Sequence, residues 1–95
     1  MASTAQNLFK SLADSTRRGL FERLVREGEL SVHALTELAG VSQPAVSKHL
    51  RVLRLAGLVI DRRDGRQTHY RAQASALVPL NEWLVLYGLR LNAPM

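Results

Sequence analysis

The chain contains no cysteine, which excludes disulfides, thiolate metal sites and thiol redox chemistry. That absence suits a reducing compartment, and a cytoplasmic location is expected. No apolar run reaches the ~20 residues that span a bilayer, so no membrane association is expected. The opening stretch MASTAQNLFKSLAD lacks a basic segment leading into an apolar one, and no secretory leader is expected. Three histidines, His33, His49 and His69, are too scattered for a metal motif. No serine sits in a nucleophile motif, and the six glycines are isolated at element ends rather than gathered into a phosphate loop. An enzyme is therefore not expected, nor a cofactor or a metal ion. There is no repeat, low-complexity tract or linker, so the 95 residues are expected to fold as a single domain, 1–95. A chain this short buries only about two-thirds of its unfolded surface, which makes an oligomer plausible.

What is present is concentrated between Ser31 and Leu58, SVHALTELAGVSQPAVSKHLRVLRLAGL. Ser31 is placed to cap a helix whose apolar residues Val32, Leu35, Leu38 and Ala39 recur at helical spacing. Gly40 stops that helix and Val41 fills the corner. Ser42 caps a second helix, with Pro44 in its first turn, where a missing N–H costs little. The second helix has an apolar seam at Val46, Leu50, Leu53 and Gly57. At about 100° per residue, Pro44, Ser47, Lys48 and Arg51 fall on the opposite side. Helix, glycine turn and a second helix with a polar, basic outer face form a helix-turn-helix, whose second helix has the diameter of the DNA major groove.

Charge supports that reading by its location. The net charge is +5, and the whole surplus lies between Gln43 and Arg71. There Lys48, Arg51, Arg54, Arg62, Arg63, Arg66 and Arg71 face only Asp61 and Asp64, whereas basic and acidic groups cancel over the rest of the chain. Localised positive potential is the footprint of a polyanion-binding surface.

The flanks read as further elements. Thr4 to Ala13 suggests a helix with Leu8, Phe9 and Leu12 on one side. Asp14 or Ser15 caps a second, running to about Glu27 with Leu20, Phe21, Leu24 and Val25 as its stripe, and Gly28 ends it. Arg17 and Arg18 near its start oppose the macrodipole; an internal ion pair is the expected reason, with a phosphate contact the alternative. Beyond the central motif, LVIDRRDGRQTHYRA alternates, turns at Asp64-Gly65 and returns, forming a two-stranded hairpin. Its tip carries Arg62, Arg63 and Arg66, in reach of phosphates or a minor groove. His69 is expected to face outward from this ribbon, and His33 to be solvated. The last segment is a helix capped by Ser75 with Pro79 in its first turn. From Trp83 onward its apolar residues spread almost all round, so it must be covered on more than one side. A two-fold homodimer through the N- and C-terminal helices is the simplest solution, using Leu8, Phe9, Leu12, Leu80, Trp83, Leu84, Tyr87 and Leu91. The expected class is mostly α with a small β-hairpin, in the order α-α-α-α-β-β-α.

LADSTRRGLFERL, then ELAGVSQPAVSKHLRVLRLAGLV, then DGRQTHYR resemble, in this order and spacing, the ArsR-type winged helix-turn-helix repressors of prokaryotes. The match runs from about Leu8 to Tyr87. The resemblance implies a homodimeric transcriptional repressor that binds double-stranded operator DNA, and family members often release DNA when a metal or other signal binds. Metal-sensing members carry cysteines in the helix matching Val32 to Ala39, or histidine and carboxylate ligands on the C-terminal helix. Here those helices offer only His33, Glu37 and Glu82, so a non-metal-sensing, autoregulator-like member is expected.

On this reading Gln43 to Arg54 enters the major groove. Gln43 and Ser47 reach base edges and Ala45 offers a methyl to thymine. Lys48, His49 and Arg51 meet phosphates, with packing beside the apolar seam the alternative for His49, Ser42 touches one from the helix N-terminus, and Arg62, Arg63 and Arg66 extend the grip. A winged-helix module that binds protein or RNA without reading an operator is the alternative.

Overall fold

The computed structural model describes residues 3–92, with side chains through residue 88. Helix α1 (Ala5–Ala13) begins where the Thr4 hydroxyl accepts the Asn7 N–H. Helix α2 (Ser15–Glu27) follows at once, capped by the Asp14 carboxylate on the Arg17 N–H at 2.9 Å. A short strand β1 (Leu30–Ser31) leads into α3 (Val32–Ala39), and α4 spans Gln43–Leu55. Strands β2 (Val59–Asp64) and β3 (Gln67–Ala72) form the hairpin. A 3-10 turn (Ala74–Leu77) then passes into α5 (Val78–Asn92).

One core joins these elements. Leu8 comes from α1, Leu20, Phe21 and Leu24 from α2, Leu35 from α3, and Val46, Leu50 and Leu53 from α4. Leu58, Val59 and Tyr70 close it from the hairpin side. Positions 46, 50 and 53 follow helical spacing, so one stripe of α4 is fully inside and its opposite face remains free.

Several details differ from the sequence reading. Gly57 is not part of the α4 seam but lies past the helix end, at φ 79°. Its N–H bonds to the Arg54 carbonyl, and the Leu58 N–H reaches back to the Leu53 carbonyl at 2.9 Å. These paired bonds, with Leu53 and Leu58 both buried, close the helix, and only a glycine adopts that backbone without strain. The sheet has three strands, in the order β1-β3-β2, because Leu30 pairs with Tyr70 and Ser31 with His69. Two residues carry too little periodicity to announce a strand. Ser75 does not cap α5: it lies inside the 3-10 turn, and Pro79 occupies the first turn of α5. Val41 is exposed rather than filling the corner, where Leu35 and Val46 on the flanking helices are the buried residues.

Arg17 and Arg18 also find a role other than an ion pair. Arg17 donates to the carbonyls of Ser11 and Lys10, and Arg18 to that of Leu12 at 2.8 Å. The last carbonyls of α1 have no intrahelical partner, so two cations from α2 satisfy them and oppose the negative end of that helix dipole. The cations misplaced for their own helix are correctly placed for the one before it.

Candidate nucleic-acid interface

The site is built on the turn between α3 and α4. The Ser31 hydroxyl accepts the Ala34 N–H at 3.0 Å and starts α3. Gly40, in the left-handed conformation, ends it. The Ser42 hydroxyl then accepts the Ala45 N–H at 3.3 Å and starts α4, with Pro44 in the first turn. With Val46, Leu50 and Leu53 fixed in the core, Gln43, Pro44, Ser47, Lys48 and Arg51 are all exposed. Ala45 is half-buried, so only part of its methyl remains accessible.

The hairpin stands beside this helix. Val59 pairs with Ala72, Asp61 with Tyr70 and Arg63 with Thr68. Val59 and Tyr70 are buried against the helices, and strand alternation puts Arg63 and Thr68 on that same helix-facing side at the tip. Arg62 and His69 pair on the opposite side. The two central turn residues are Gly65 and Arg66, not Asp64-Gly65, because Asp64 still pairs with Gln67. Gly65 takes φ 60°, a first turn position that a side chain resists.

Ion pairing divides the basic residues into two groups. Arg62 binds the Glu29 carboxylate through both Nε and Nη2 and lies 3.8 Å from Asp64. Arg54 lies 3.6 Å from Asp61. By contrast Lys48, Arg51, Arg63 and Arg66 are exposed and have no ionic partner among the described residues. These four cations are free to meet an external anion, as is Arg71, exposed and without an ionic partner among the described residues, on the hairpin face away from the helices. Arg62, expected at the tip as a phosphate contact, is instead turned back to hold the loop before β1.

Two histidines also find partners within the fold. His49, expected either at a phosphate or packed beside the seam, has its Nδ1 3.5 Å from the Arg17 guanidinium and its Nε2 4.0 Å from Asp14. The helical angle places it beside the core seam, against the α1–α2 joint. His69 does not face solvent freely: it is half-buried, 3.9 Å from Glu29. His33 is solvated, as expected, with Nε2 3.1 Å from Glu37.

A cleft between the start of α3, the start of α4 and the hairpin tip brings together Val32, His33, Gln43, Ser47, Arg66, Gln67 and Thr68. Gln43, Ser47 and Arg66 were expected in the site. His33, Gln67 and Thr68 were not, although Gln67 and Thr68 directly follow the turn and a paired return strand places them there. Among the described residues no group of three metal-ligating side chains occurs, and no helix is long and apolar enough to cross a membrane.

Two carboxyls titrate below their ordinary values. Asp14 is held below 3.8 chiefly by the Arg17 backbone N–H, then by the charges of His49 and Arg17. Glu29 is held below 4.5 chiefly by its hydrogen bond from Arg62. A depressed carboxyl contributes stability that is present above its unfolded value and lost as the pH falls through its folded one. Thermal unfolding should therefore be insensitive to these groups at neutral pH and fall in temperature below about pH 4. Asp14→Asn and Glu29→Gln should each flatten that acid limb in melts followed by circular dichroism, at some loss of stability at neutral pH.

Helix-turn-helix, flanking hairpin and a cluster of unpaired cations along one face define a winged helix-turn-helix DNA-binding protein. The sequence agrees. A helix-turn-helix domain model matches residues 12–62. The arsenic resistance transcriptional regulator ArsR1 of Pseudomonas putida is 42% identical over 95 residues, covering 88% of this chain and 74% of that protein. The chain belongs to the ArsR family, and it is a DNA-binding transcriptional regulator. A crystal structure of an ArsR family transcriptional regulator superposes with a TM-score of 0.82 at 26% identity, covering all of both chains. A solution structure of a homodimeric winged helix-turn-helix DNA-binding domain from Mycobacterium bovis superposes at 0.70, with 26% identity, covering 90% of this chain and 80% of that one.

Proposed function

We propose that this chain acts as a single winged helix-turn-helix unit that represses transcription as a homodimer on an inverted-repeat operator. The observation that carries the reading is the set of four unpaired cations, Lys48, Arg51, Arg63 and Arg66, spread over the recognition helix and the wing. α4 lies in the major groove, with Gln43 and Ser47 at base edges and Lys48 and Arg51 on phosphates. Ser42 and Ala45 contribute at the start of that helix, while Arg63 and Arg66 grip the backbone beyond. His33, Gln67 and Thr68 line the cleft where a phosphate between the two grooves would rest.

The dimer reading is supported by α5 and by the homodimeric relative from Mycobacterium bovis. Trp83, Leu84, Val85, Leu86 and Tyr87 are all exposed in the protomer. Phe9 meets Trp83 edge to face at 5.2 Å, and Trp83 stacks obliquely on Tyr87 at 5.0 Å. Each of these three rings keeps a free face. The radius of gyration, 15.0 Å, exceeds the about 12 Å of a compact domain this long, as a projecting helix requires. Phe9, Trp83, Leu84 and Tyr87 form the contact, with Leu12 and Leu80 at its inner edge, where both pack partly on the core. Leu8, expected there too, has no exposed surface and belongs to the protomer core. Leu91 lies outside the residues whose side chains are described.

Helix α3 has no cysteine and α5 no histidine, unlike the familiar metal-responsive members, which favours a regulator that does not sense metals. Selection of bound fragments from random duplex DNA should return an inverted repeat with half-site centres about one helical turn, 34–36 Å, apart. Recovery of single half-sites, or no enrichment, would sink the proposal. On the enriched duplex, Arg63→Ala should weaken binding about tenfold, whereas Arg62→Ala should change it little, because Arg62 is engaged with Glu29. Equal losses measured by fluorescence anisotropy would refute that division of the wing.

A further inference from the structure

A cleft of about 240 Å³ lies between α2 and α3, on a different part of the molecule from the recognition face and the α1–α5 surface. Among its lining residues Leu38 is left 48% exposed although the sequence places it on the apolar stripe of α3, next to Ala39, whereas Leu35 is fully buried. Its rim carries Arg23, Arg26 and the Thr16 hydroxyl. Arg26 has no ionic partner among the described residues, and Arg23 is paired only within its own helix, with Glu27 at 2.7 Å.

Gly19 supplies an independent observation. It sits in the interior of α2 and lines this cleft. Glycine there weakens a helix relative to alanine. No tight packing requires it, since a Cβ built at Gly19 would meet nothing within 4 Å. The backbone conformation does not require it either, because Gly19 is not among the positive-φ glycines. The effect of the missing side chain is open space in the cleft wall. An exposed leucine side chain, an open wall and two guanidinium groups together match a small molecule with an apolar body and one negative end.

We propose that the α2–α3 cleft binds a small organic monocarboxylate, its hydrocarbon or aromatic body on Leu38 and Ala39 and its carboxylate on Arg26 and Arg23. Taking roughly 30 Å³ for each water-sized group, the open cleft has room for about eight non-hydrogen atoms, the size of hexanoate or benzoate. The site goes beyond the DNA-binding reading and does not depend on it.

Titration of the full chain with hexanoate and with benzoate, followed by backbone amide chemical shifts, should give saturable changes centred on α2 and α3. Hexylamine and benzylamine, which keep the body and reverse the charge, should leave those amides unmoved. Arg26→Gln should weaken carboxylate binding about tenfold, the loss of a charge-assisted contact. Gly19→Leu should fill the cleft and abolish binding. If that variant does not fold, Arg26→Gln, on the exposed helix surface, carries the test alone. Changes that map to α1 and α5, an equal response to acids and amines, or undiminished binding by Arg26→Gln would each overturn the proposal. No DNA is present in the titration, so its failure and a failure of the operator assignment are separate results.

Discussion

Replacing both Lys48 and Arg51 with alanine should weaken operator binding by at least about 10²-fold while leaving the fold intact. Both side chains are exposed on the face of α4 opposite the Val46–Leu50–Leu53 stripe, so removing them opens no cavity. Surface changes of this kind move stability by about 0.5 kcal/mol or less. The diagnostic is the salt dependence. Each phosphate left uncontacted lowers the slope of log affinity against log salt by about 0.9, so a dimer losing four contacts should lose about three to four from its slope. The order of preference among operator sequences should survive, because phosphate contacts position the helix without reading bases. Ser47→Ala should behave oppositely, with a small loss of affinity and a change in the preferred base. An unchanged salt slope for the double variant would mean that α4 does not lie along the DNA backbone as proposed.

Trp83→Asp should convert the dimer to monomers in sedimentation, with a second large effect on DNA binding. Trp83 sits between Phe9 and Tyr87 at the centre of the exposed apolar surface and is 42% exposed in the protomer. A carboxylate there is either buried without a partner, at a cost of several kcal/mol, or keeps the two copies apart. Trp83 is not part of the buried protomer core, which includes Leu8, Leu20 and Leu24, so the monomer should remain folded by circular dichroism. Two half-sites held by one dimer gain roughly 10² to 10⁴ in avidity over a single one, and the monomer should lose about that much. It should still bind a single half-site weakly. A dimer that persists in Trp83→Asp would remove α5 as the contact.

The two effects arise on separate elements, α4 and the α1–α5 surface, and should combine without coupling, since residues that share no partner add nearly independently. The double-cation variant should remain dimeric, and Trp83→Asp should keep the salt slope of one protomer. These paired readouts separate loss of grip from loss of the second copy.

Much of this arrangement is legible in the residues. Ser31, Gly40, Ser42 and Pro44 mark the ends of α3 and α4 because capping and turn chemistry depend on neighbours three or four residues apart. The Val46–Leu50–Leu53 stripe follows from helical periodicity, and its opposite face is then fixed by geometry. The excess of cations between Gln43 and Arg71 is a sum over a segment and needs no coordinates. What could not be read is which partner a charged group chooses. Arg62 and Glu29 are far apart in sequence, and Arg17 meets His49 across two helices. Strand β1 exists only because β3 is there to pair with it.

The sequence alone thus determined the helix-turn-helix, the hairpin after it, the basic character of that region and an apolar final helix, all properties set within a few turns of chain. Tertiary structure alone decided that Arg62 and Arg54 are neutralised while Lys48, Arg51, Arg63 and Arg66 stay free, that Leu8 is core rather than surface, and that His49 faces the α1–α2 joint. Local patterns are encoded by neighbours along the chain. Ion pairs and burial depend on which distant elements the closed core brings within a few ångströms.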